Sequence, residues 1–455
     1  MNHNCRGLTG TDLLGVLAML GLVALSPPGA KAAGPGNSAL YRFEAAPRPV
    51  LAAMVRAPSS APKLGLWPSG AVYLLAIHGR SEHVQLGLSV SNDGGDTFAP
   101  PVLVGEKGAL IRSDGEDSPS LAVGRHGGIY VLWEQERPDG GTDLMFARSI
   151  NGGHRFEKPI RVTDKVKPSD NNFSTLGEAP DGSLYAVWLD GRDPEAGPHG
   201  TSAVYLARSS DGGATFGKNV CVAPGACHCS RPALAFGRQG EVFVAWRTVF
   251  LGNIRDVAVA ASTDQGETFG PQVRVARDNW KLEGCPHSGP SLAVKGNRLY
   301  VSWFSEGTGA NPGVRVAWSD DSGASFAAAH IISGRILDAN HPVLSVSEDG
   351  RVVLVFQGRD PAKRKGWAPS QAYLAEVSDT GQVSTPVPIS GRQMSVVYPT
   401  VLAGTLGRVF VAWSEPGAKG SQVVLSRGRS TGSFVAHPGE LRTLQQINES
   451  KGGKM

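Results

Sequence analysis

The sequence lacks the features of several protein classes. Its 44 basic and 40 acidic residues almost cancel to a formal net charge of +4, and there is no basic stripe to neutralise a phosphate backbone. A Gly-X-Y period and long charge runs are also missing, and 41% of the residues are hydrophobic. These absences exclude collagen-like, coiled-coil and disordered chains and argue against a nucleic-acid partner. The sequence is instead rich in glycine (59 residues) and proline (31), which is typical of a chain with many turns.

Apolar runs of transmembrane length are missing too. The one pronounced run, Leu13 to Leu25, follows Arg6 and precedes the small-residue pattern Ala30-Lys31-Ala32. This order is typical of a secretory signal peptide, and the run is short for a bilayer span. We predict a signal peptide over residues 1–32, with an uncleaved anchor as the alternative. The mature protein is then expected to be secreted or periplasmic, without stable membrane insertion.

A turn of eight residues recurs along the chain with a period of about 57 residues. Each copy starts with Ser, has Asp or Asn third and Gly fifth, and ends with Phe. The five copies of this turn octet are Ser91–Phe98, Ser149–Phe156, Ser209–Phe216, Ser262–Phe269 and Ser319–Phe326, and a degenerate sixth starts near Ser378. The third residue can accept hydrogen bonds from its own turn, and Gly supplies a positive φ.

A pair of strands precedes each octet. The second strand of the pair usually ends in Trp or Phe, at Trp133, Trp188, Trp246, Trp303, Phe356 and Trp413. Arg56–Ser59 with Ala71–Leu75 fits as the first pair. Four short strands per unit and no amphipathic helix predict an all-β fold, a β-propeller of four-stranded antiparallel blades. We count seven blades over residues 45–436, with six as the alternative, and a C-terminal tail over 437–455.

The octets are identified as Asp-boxes, and the chain resembles the sialidase (neuraminidase) superfamily of Asp-box, or BNR-repeat, propellers over nearly all of its mature length. The box is specific for the fold. It says little about activity, because it lies on the outer rim and also occurs in non-catalytic propellers.

A propeller brings the start of each innermost strand to one central funnel, where a ligand site is expected. The repeat alignment places these residues there: Arg56, Asp117, Asn172, Arg231 with Cys229, His287, His341 and Tyr398. Such polar and aromatic types are unusual at strand starts chosen only for packing. We therefore predict that Asn172 and His341 contribute to substrate binding.

The resemblance implies roles for two funnel residues. Arg56, followed by Gly79-Arg80, is similar to the family's first-blade arginine, one of three that clamp the substrate carboxylate. Arg231, Arg247, Arg255 and Arg335 stay open as the other two. Tyr398, with Trp413-Ser414-Glu415 downstream, is similar to the family's nucleophilic tyrosine, which acts with an activating glutamate and an acid/base aspartate.

The sequence departs from the family pattern where that acid/base aspartate is expected. The segment between Gly79-Arg80 and the first octet contains no Asp, and Glu82 is its only carboxylate. Asp114, Glu116 or Asp117 of the next blade are alternatives, and no tyrosine-activating glutamate is identifiable. We predict Tyr398, Glu82 and Asp117 as the catalytic residues.

Four cysteines remain after loss of Cys5 with the signal peptide. In an oxidising compartment they favour the disulfides Cys229–Cys285 and Cys221–Cys227. The alternative is a metal site for Cu or Zn formed by Cys227, Cys229, Cys285 and His287, with His228 or His341 as a further ligand. No other cofactor is expected.

Two functions follow from these observations. One is a retaining, exo-sialidase-type glycoside hydrolase that acts on an anionic sugar. The other is a non-catalytic propeller that binds a glycan, a protein or a metal ion at the funnel. The expected partner is a glycan or small-molecule ligand at the funnel. Nearby, Arg255 and Asp256 are predicted to form a surface ion pair, and Trp280 either stacks on a sugar or packs at the rim.

Overall fold

A computed structural model describes residues 41–43, 47–55, 61–67, 69–80, 83–113, 115–164, 169–192, 201–307, 312–363, 368–391, 395–417 and 420–432. The predicted signal peptide and tail, together with Arg56, Glu82 and Asp114, lie outside these residues. The described helical segments are two 3-10 turns, Pro361–Lys363 and Thr405–Gly407. Neither is long or apolar enough for a membrane span.

Two strands lie ahead of the repeated units, β1 (Tyr41–Phe43) and β2 (Arg48–Val55). The first unit follows as a sheet of four antiparallel strands: β3 (Lys63–Leu66), β4 (Val72–Arg80), β5 (His83–Ser91) and β6 (Val102–Val104). The second unit is a sheet of five strands: β7 (Ile111–Arg112), β8 (Ser120–Val123), β9 (Ile129–Glu136), β10 (Thr142–Ser149) and β11 (Ile160–Arg161).

One eight-stranded sheet contains the next two units. Its first half is β12 (Asn171–Glu178), β13 (Leu184–Asp190), β14 (Thr201–Ser209) and β15 (Val220–Cys227). Its second half is β16 (Ala233–Phe236), β17 (Val242–Phe250), β18 (Ile254–Ser262) and β19 (Val273–Arg274). The halves are joined where Ala226 of β15 pairs with Thr248 of β17.

The remaining units form three further sheets. Two have four antiparallel strands each: β20 (Ser291–Lys295), β21 (Arg298–Ser305), β22 (Gly313–Ser319) and β23 (His330–Ile331), then β24 (Leu337–Val346), β25 (Val352–Arg359), β26 (Gln371–Val377) and β27 (Val387–Pro388). The last contains β28 (Val397–Ala403), β29 (Arg408–Gly417) and β30 (Gly420–Ser430), and β30 also pairs with β1 and β2.

The core lies between successive units. Each described apolar cluster packs the faces of two neighbouring units together, as Trp133 does between the first and second. One cluster joins Val72 and Leu74 of the first unit to Phe410 and Ala412 of the last. The first strands of the units, β3, β8, β12, β16, β20, β24 and β28, also contact each other in that order and back to β3. The units therefore close into a ring, which is the arrangement of a β-propeller.

The predicted strand pairs are confirmed, with one correction. The second strands contain the buried residues Trp133, Trp188, Trp246, Trp303, Phe356 and Trp413. In the first unit, however, the first strand is β3 and not Arg56–Ser59, because β2 pairs with β30 of the last unit and the chain then continues to Lys63. The alignment was therefore displaced in this unit.

Candidate functional site

A cavity of about 350 Å³ opens at the centre of the ring, where the first strands of the units begin. Small side chains make up much of its wall, including Ser120, Thr175, Ser291 and Thr400. Five lining residues carry a charge or a polar ring: Lys63, Glu116, Arg231, His341 and Tyr398. The structure thus brings together three of the predicted site residues, Arg231, His341 and Tyr398.

Lys63 and Glu116 were not among the predicted site residues, although Glu116 was an alternative acid. A sequence signal for Lys63 existed. Most units share the pattern Pro-X-Leu or Pro-X-Val at the start of the first strand, as in Pro119-Ser120-Leu121 and Pro232-Ala233-Leu234. Pro62-Lys63-Leu64 is the first unit's copy. If the first unit is aligned with the others at Pro62-Lys63-Leu64 and not at Arg56-Ala57-Pro58, Lys63 corresponds to Ser120 and Ala233. Both of these residues line the cavity.

The backbone around the cavity is strained at several residues. His341 and Tyr398 each have φ of 52°, and Phe173, at the corresponding position of the third unit, has φ of 56°. Residues other than glycine rarely adopt these angles, and such strain concentrates at ligand and active sites. Tyr398 Oη also lies so close to Gly115 that a Cβ there would be 2.6 Å away. This close approach requires glycine.

Glu116 joins three units at the cavity. Its carboxylate accepts hydrogen bonds from Gly289 N–H at 2.8 and 3.0 Å, and His341 Nδ1 lies 3.6 Å from Oε1. Burial opposes ionisation, but the neighbouring His341 and the Gly289 N–H lower the pKa of Glu116. Glu116 is therefore held as a carboxylate.

Arg231 uses most of its guanidinium to hold the second unit. Nε donates to the Glu116 carbonyl at 3.0 Å, and Nη2 donates to the same carbonyl at 2.7 Å and to the carbonyl of Ser118. Nη1 is buried and has no hydrogen-bond partner in the described structure. Arg231 therefore lacks the free two-donor fork predicted for a carboxylate clamp, and Nη1 is a guanidinium nitrogen without a described acceptor.

Lys63 is a half-buried lysine on the cavity wall. No hydrogen bond or ion pair of Lys63 is present among the described residues. Burial, together with the positive charge of Arg231, lowers the pKa of Lys63 to about 7. Glu116 and Glu134 offset only part of this lowering, so the ammonium would gain from a negatively charged ligand.

Asp117 and Asn172 do not line the cavity. Asp117 is 5% exposed, and its Oδ1 accepts the N–H of Phe173 at 2.6 Å. Burial and the neighbouring Glu134 carboxylate raise the pKa of Asp117 to about 8. Asn172 pairs with Leu189 between β12 and β13. The predicted roles of these residues, catalysis for Asp117 and substrate binding for Asn172, are therefore not supported by their positions.

Arg247 is a further correction. Its side chain is 1% exposed and donates to the carbonyls of Arg255, Ser288 and Phe304 at 2.8 to 2.9 Å. Both terminal nitrogens of this guanidinium already donate to carbonyls, so they do not offer a pair of free N–H donors to a substrate carboxylate. Arg247 ties together neighbouring strands and loops, and the substrate-binding role predicted for it is not supported.

The predicted ion pair between Arg255 and Asp256 is wrong. Successive side chains of β18 lie on opposite faces of the sheet. Asp256 therefore forms an ion pair with Arg274, whereas Arg255 donates a hydrogen bond to Cys227 Sγ. Trp280 is 3% exposed, packs edge-on against Phe304 and has Arg247 over its ring. It packs as a core aromatic rather than offering a sugar platform.

Neither predicted disulfide is present among the four described cysteines. Cys221 and Cys227 sit near opposite ends of β15, paired with Tyr205 and Thr201. Their partners on β14, Tyr205 and Thr201, are four residues apart, which is roughly 13 Å along a strand. This distance is well beyond the Cα–Cα separation that a disulfide allows. Cys229 and Cys285 are close together, and they group with His228 rather than with the predicted His287, which is exposed.

The cysteines influence one another through hydrogen bonds and charge. The Cys229 thiol beside Cys227 lowers the pKa of Cys227, against the effect of burial, and Arg255 acts in the same direction. Contacts with Cys229, His228 and His287 lower the pKa of Cys285. Hydrogen bonds with Cys227 and Cys285, together with burial, raise the pKa of Cys229. This group could hold a soft metal ion, because thiolate and imidazole are its preferred ligands.

Comparisons with known proteins add a likeness of fold. No family model matches the sequence, and no curated protein matches it. A protein of unknown function from Dyadobacter fermentans has 16% identity and a TM-score of 0.47, over 71% of this chain and 97% of that one. Trypanosoma rangeli sialidase has 13% identity and a TM-score of 0.48, over 82% of this chain and 55% of that one.

A mutant of the NanB sialidase from Streptococcus pneumoniae is similar at 14% identity and a TM-score of 0.45, over 90% of this chain and 71% of that one. The present chain spans about half the length of the Trypanosoma sialidase. Likeness at this level carries no inference about activity.

Proposed function

We propose that this chain is a seven-bladed propeller whose central cavity binds a small anionic ligand, with an acidic sugar as the class that suits it best. The contact order of the first strands, from β3 through β28 and back to β3, supports seven blades. The observation that carries the binding proposal is Lys63, a half-buried lysine in the cavity wall that has no hydrogen bond or ion pair among the described residues.

Three other residues that line the cavity, Arg231, His341 and Tyr398, indicate which class of anionic ligand would fit. Arg231 Nη1 is a second buried donor without a described partner. His341 and Tyr398 meet edge to face with ring centroids 4.7 Å apart, which gives the cavity an aromatic wall. Cationic donors suit a carboxylate, and an aromatic wall beside hydroxyl-bearing Ser and Thr side chains suits a sugar ring.

The direct test is calorimetric titration of the purified protein with N-acetylneuraminic acid and, separately, with its neutral methyl ester. The acid is expected to bind measurably and the ester about tenfold more weakly, since the ester lacks the charge that Lys63 would neutralise. Equal binding of acid and ester, or binding of neither, contradicts the proposal.

Hydrolysis of an acidic glycoside is the second candidate function, and the position of Tyr398 favours it. The phenol lies against Gly115, and the adjacent residue Glu116 is a cavity-lining carboxylate. In this reaction the Tyr398 oxygen attacks the anomeric carbon while Glu116 accepts the phenol proton. An acid protonates the departing oxygen, and water later cleaves the tyrosyl-sugar bond. Glu82 remains the proposed acid.

A fluorogenic sialoside assay separates hydrolysis from binding. If the chain is a hydrolase, Tyr398→Phe is expected to lower turnover at least about a hundredfold without abolishing sugar binding. Binding without turnover in the wild-type protein leaves the non-catalytic function. The secreted or periplasmic location is also a proposal, tested by fractionating the native host and sequencing the mature N-terminus.

A further inference from the structure

The thiol-imidazole cluster beside the cavity is separate from the side chains assigned to the anionic ligand. His228 and Cys229 form the turn after β15, and Cys285 lies in the loop before β20. The ligand atoms of His228, Cys229 and Cys285 all lie within 4.8 Å of one another. The cluster thus joins two neighbouring loops of the ring.

We propose that His228, Cys229 and Cys285 bind one soft d10 metal ion, Cu(I) or Zn(II). The separation of His228 Nε2 and Cys285 Sγ is 3.5 Å. Two such atoms bound to one tetrahedral ion would be about 3.5 Å apart, given metal–sulfur bonds of about 2.3 Å and metal–nitrogen bonds of about 2.0 Å. The pair is therefore already at the spacing that a shared ion requires.

Burial and the contacts of the neighbouring Cys227 and Arg255 support the same assignment. Cys229 is 2% exposed, whereas Cys285 and His228 are half-buried, so an ion has access from one side. The adjacent Cys227 Sγ is 3.4 Å from Cys229 Sγ and accepts a hydrogen bond from Arg255 at 3.0 Å. Arg255 also donates to Leu282, three residues before Cys285. These contacts hold both loops in position, as outer-shell groups do in metal sites.

The number of ligands distinguishes the two ions. Two thiolates and one imidazole suffice for three-coordinate Cu(I), whereas a structural Zn(II) site usually has four ligands. His287 is the available fourth ligand, because it hydrogen-bonds Cys285 from the same loop. If His287→Ala loses affinity for Zn(II), the site holds Zn(II) with four ligands. If the same variant keeps its affinity for Cu(I), the site holds Cu(I) with three ligands.

The experiment uses the full chain, reduced and metal-free under argon. Zn(II) is titrated against a chromophoric zinc chelator, and Cu(I) against bicinchoninate, and native mass spectrometry gives the number of ions bound. We expect one ion per wild-type chain for at least one metal. Cys285→Ser and His228→Ala are each expected to weaken it about tenfold or more.

Two further cysteine variants serve as matched controls. Cys221→Ser alters an exposed thiol elsewhere on β15 and should bind as the wild type does. Cys227→Ser should weaken binding of the ion less than Cys285→Ser does, because Cys227 contacts Cys229 and Arg255 and is not assigned as a metal ligand. Circular dichroism and thermal melting check that each variant is folded, and any unfolded variant is replaced by Cys285→Ala or His228→Gln.

The outcomes decide the proposal independently of the funnel's ligand. One bound ion that Cys285→Ser loses and Cys221→Ser keeps supports the site. Binding of neither metal overturns it, as does equal loss in Cys227→Ser and Cys285→Ser for the three-ligand assignment. Protein from its native compartment in which Cys229 and Cys285 resist alkylation until reduced, with no metal bound, shows a disulfide in place of the site.

Discussion

The turn octets and the cavity belong to the same repeat, yet they use their polar groups differently. In the octet that starts at Ser209, the Asp211 carboxylate accepts hydrogen bonds from Ser209 Oγ, Thr215 N and Thr215 Oγ1 at 2.6 to 3.0 Å. At the cavity, Lys63 and Arg231 Nη1 have no such described partner. The octet residues recur along the chain and bond within their own turn, so they stabilise the fold. The cavity residues differ from unit to unit, and those without a described partner are the candidates for binding a ligand.

The largest expected effect comes from a glycine of an octet. Gly213 has φ of 83°, and a Cβ there would be 2.6 Å from Phe146. Gly213→Ala should lower the free energy of unfolding by about 3 kcal/mol, through backbone strain plus overpacking. Chemical denaturation measures it. Gly240→Ala is the control, because Gly240 has φ of 93° but an open surrounding, and it should cost only about 1 kcal/mol.

The cavity should respond in the opposite sense. Lys63→Met is expected to lower the affinity for N-acetylneuraminic acid about tenfold, equal to about 1.4 kcal/mol, while leaving the melting temperature unchanged or higher. Lys63 is half-buried and has no hydrogen bond or ion pair among the described residues, so its removal should not harm stability. Lys107→Met, at an exposed position, should change neither quantity. A large loss of stability in Lys63→Met would make Lys63 a structural residue.

A smaller effect is expected at the octet's carboxylate. Asp211→Ala should lower the free energy of unfolding by about 1 kcal/mol, because three hydrogen bonds are lost at a solvent-exposed turn. Asp211→Asn should cost less, since Asn151 fills this position in the second octet and accepts from Ser149 Oγ and Arg155 N. Sugar affinity should be unchanged in both variants. Any shift in it would couple the rim to the cavity.

The smallest effect concerns pH. Lys63, whose pKa burial lowers to about 7, is charged below that pH and neutral above it. Affinity for the acidic sugar should therefore fall several-fold between about pH 6 and about pH 8. The profile of Lys63→Met should be flat over the same range, as calorimetry at each pH would show. An identical slope in both proteins would show that the pH dependence does not come from Lys63.

The sequence predicted the fold well because strand alternation, octets and buried Trp residues are local patterns that repeat. It predicted the site less well because each unit supplies only a few residues to the cavity. If one unit is misaligned, the wrong residue of that unit is assigned to the cavity. Arg56 was aligned in place of Lys63 for this reason. Arg247 was misassigned for a different one, because a residue type does not reveal that its donors already bind backbone carbonyls.

Selective chemical labelling of Lys63 tests the central claim most directly. The protein is acetylated briefly at a series of pH values, with and without N-acetylneuraminic acid, and the modification of each lysine is measured by peptide mass spectrometry. Lys63 should titrate near pH 7 and be protected by the acid but not by its methyl ester, while exposed Lys107 shows no protection. Lys63 labelling that shows no titration near pH 7 and no protection by the acid would contradict an anion-binding cavity.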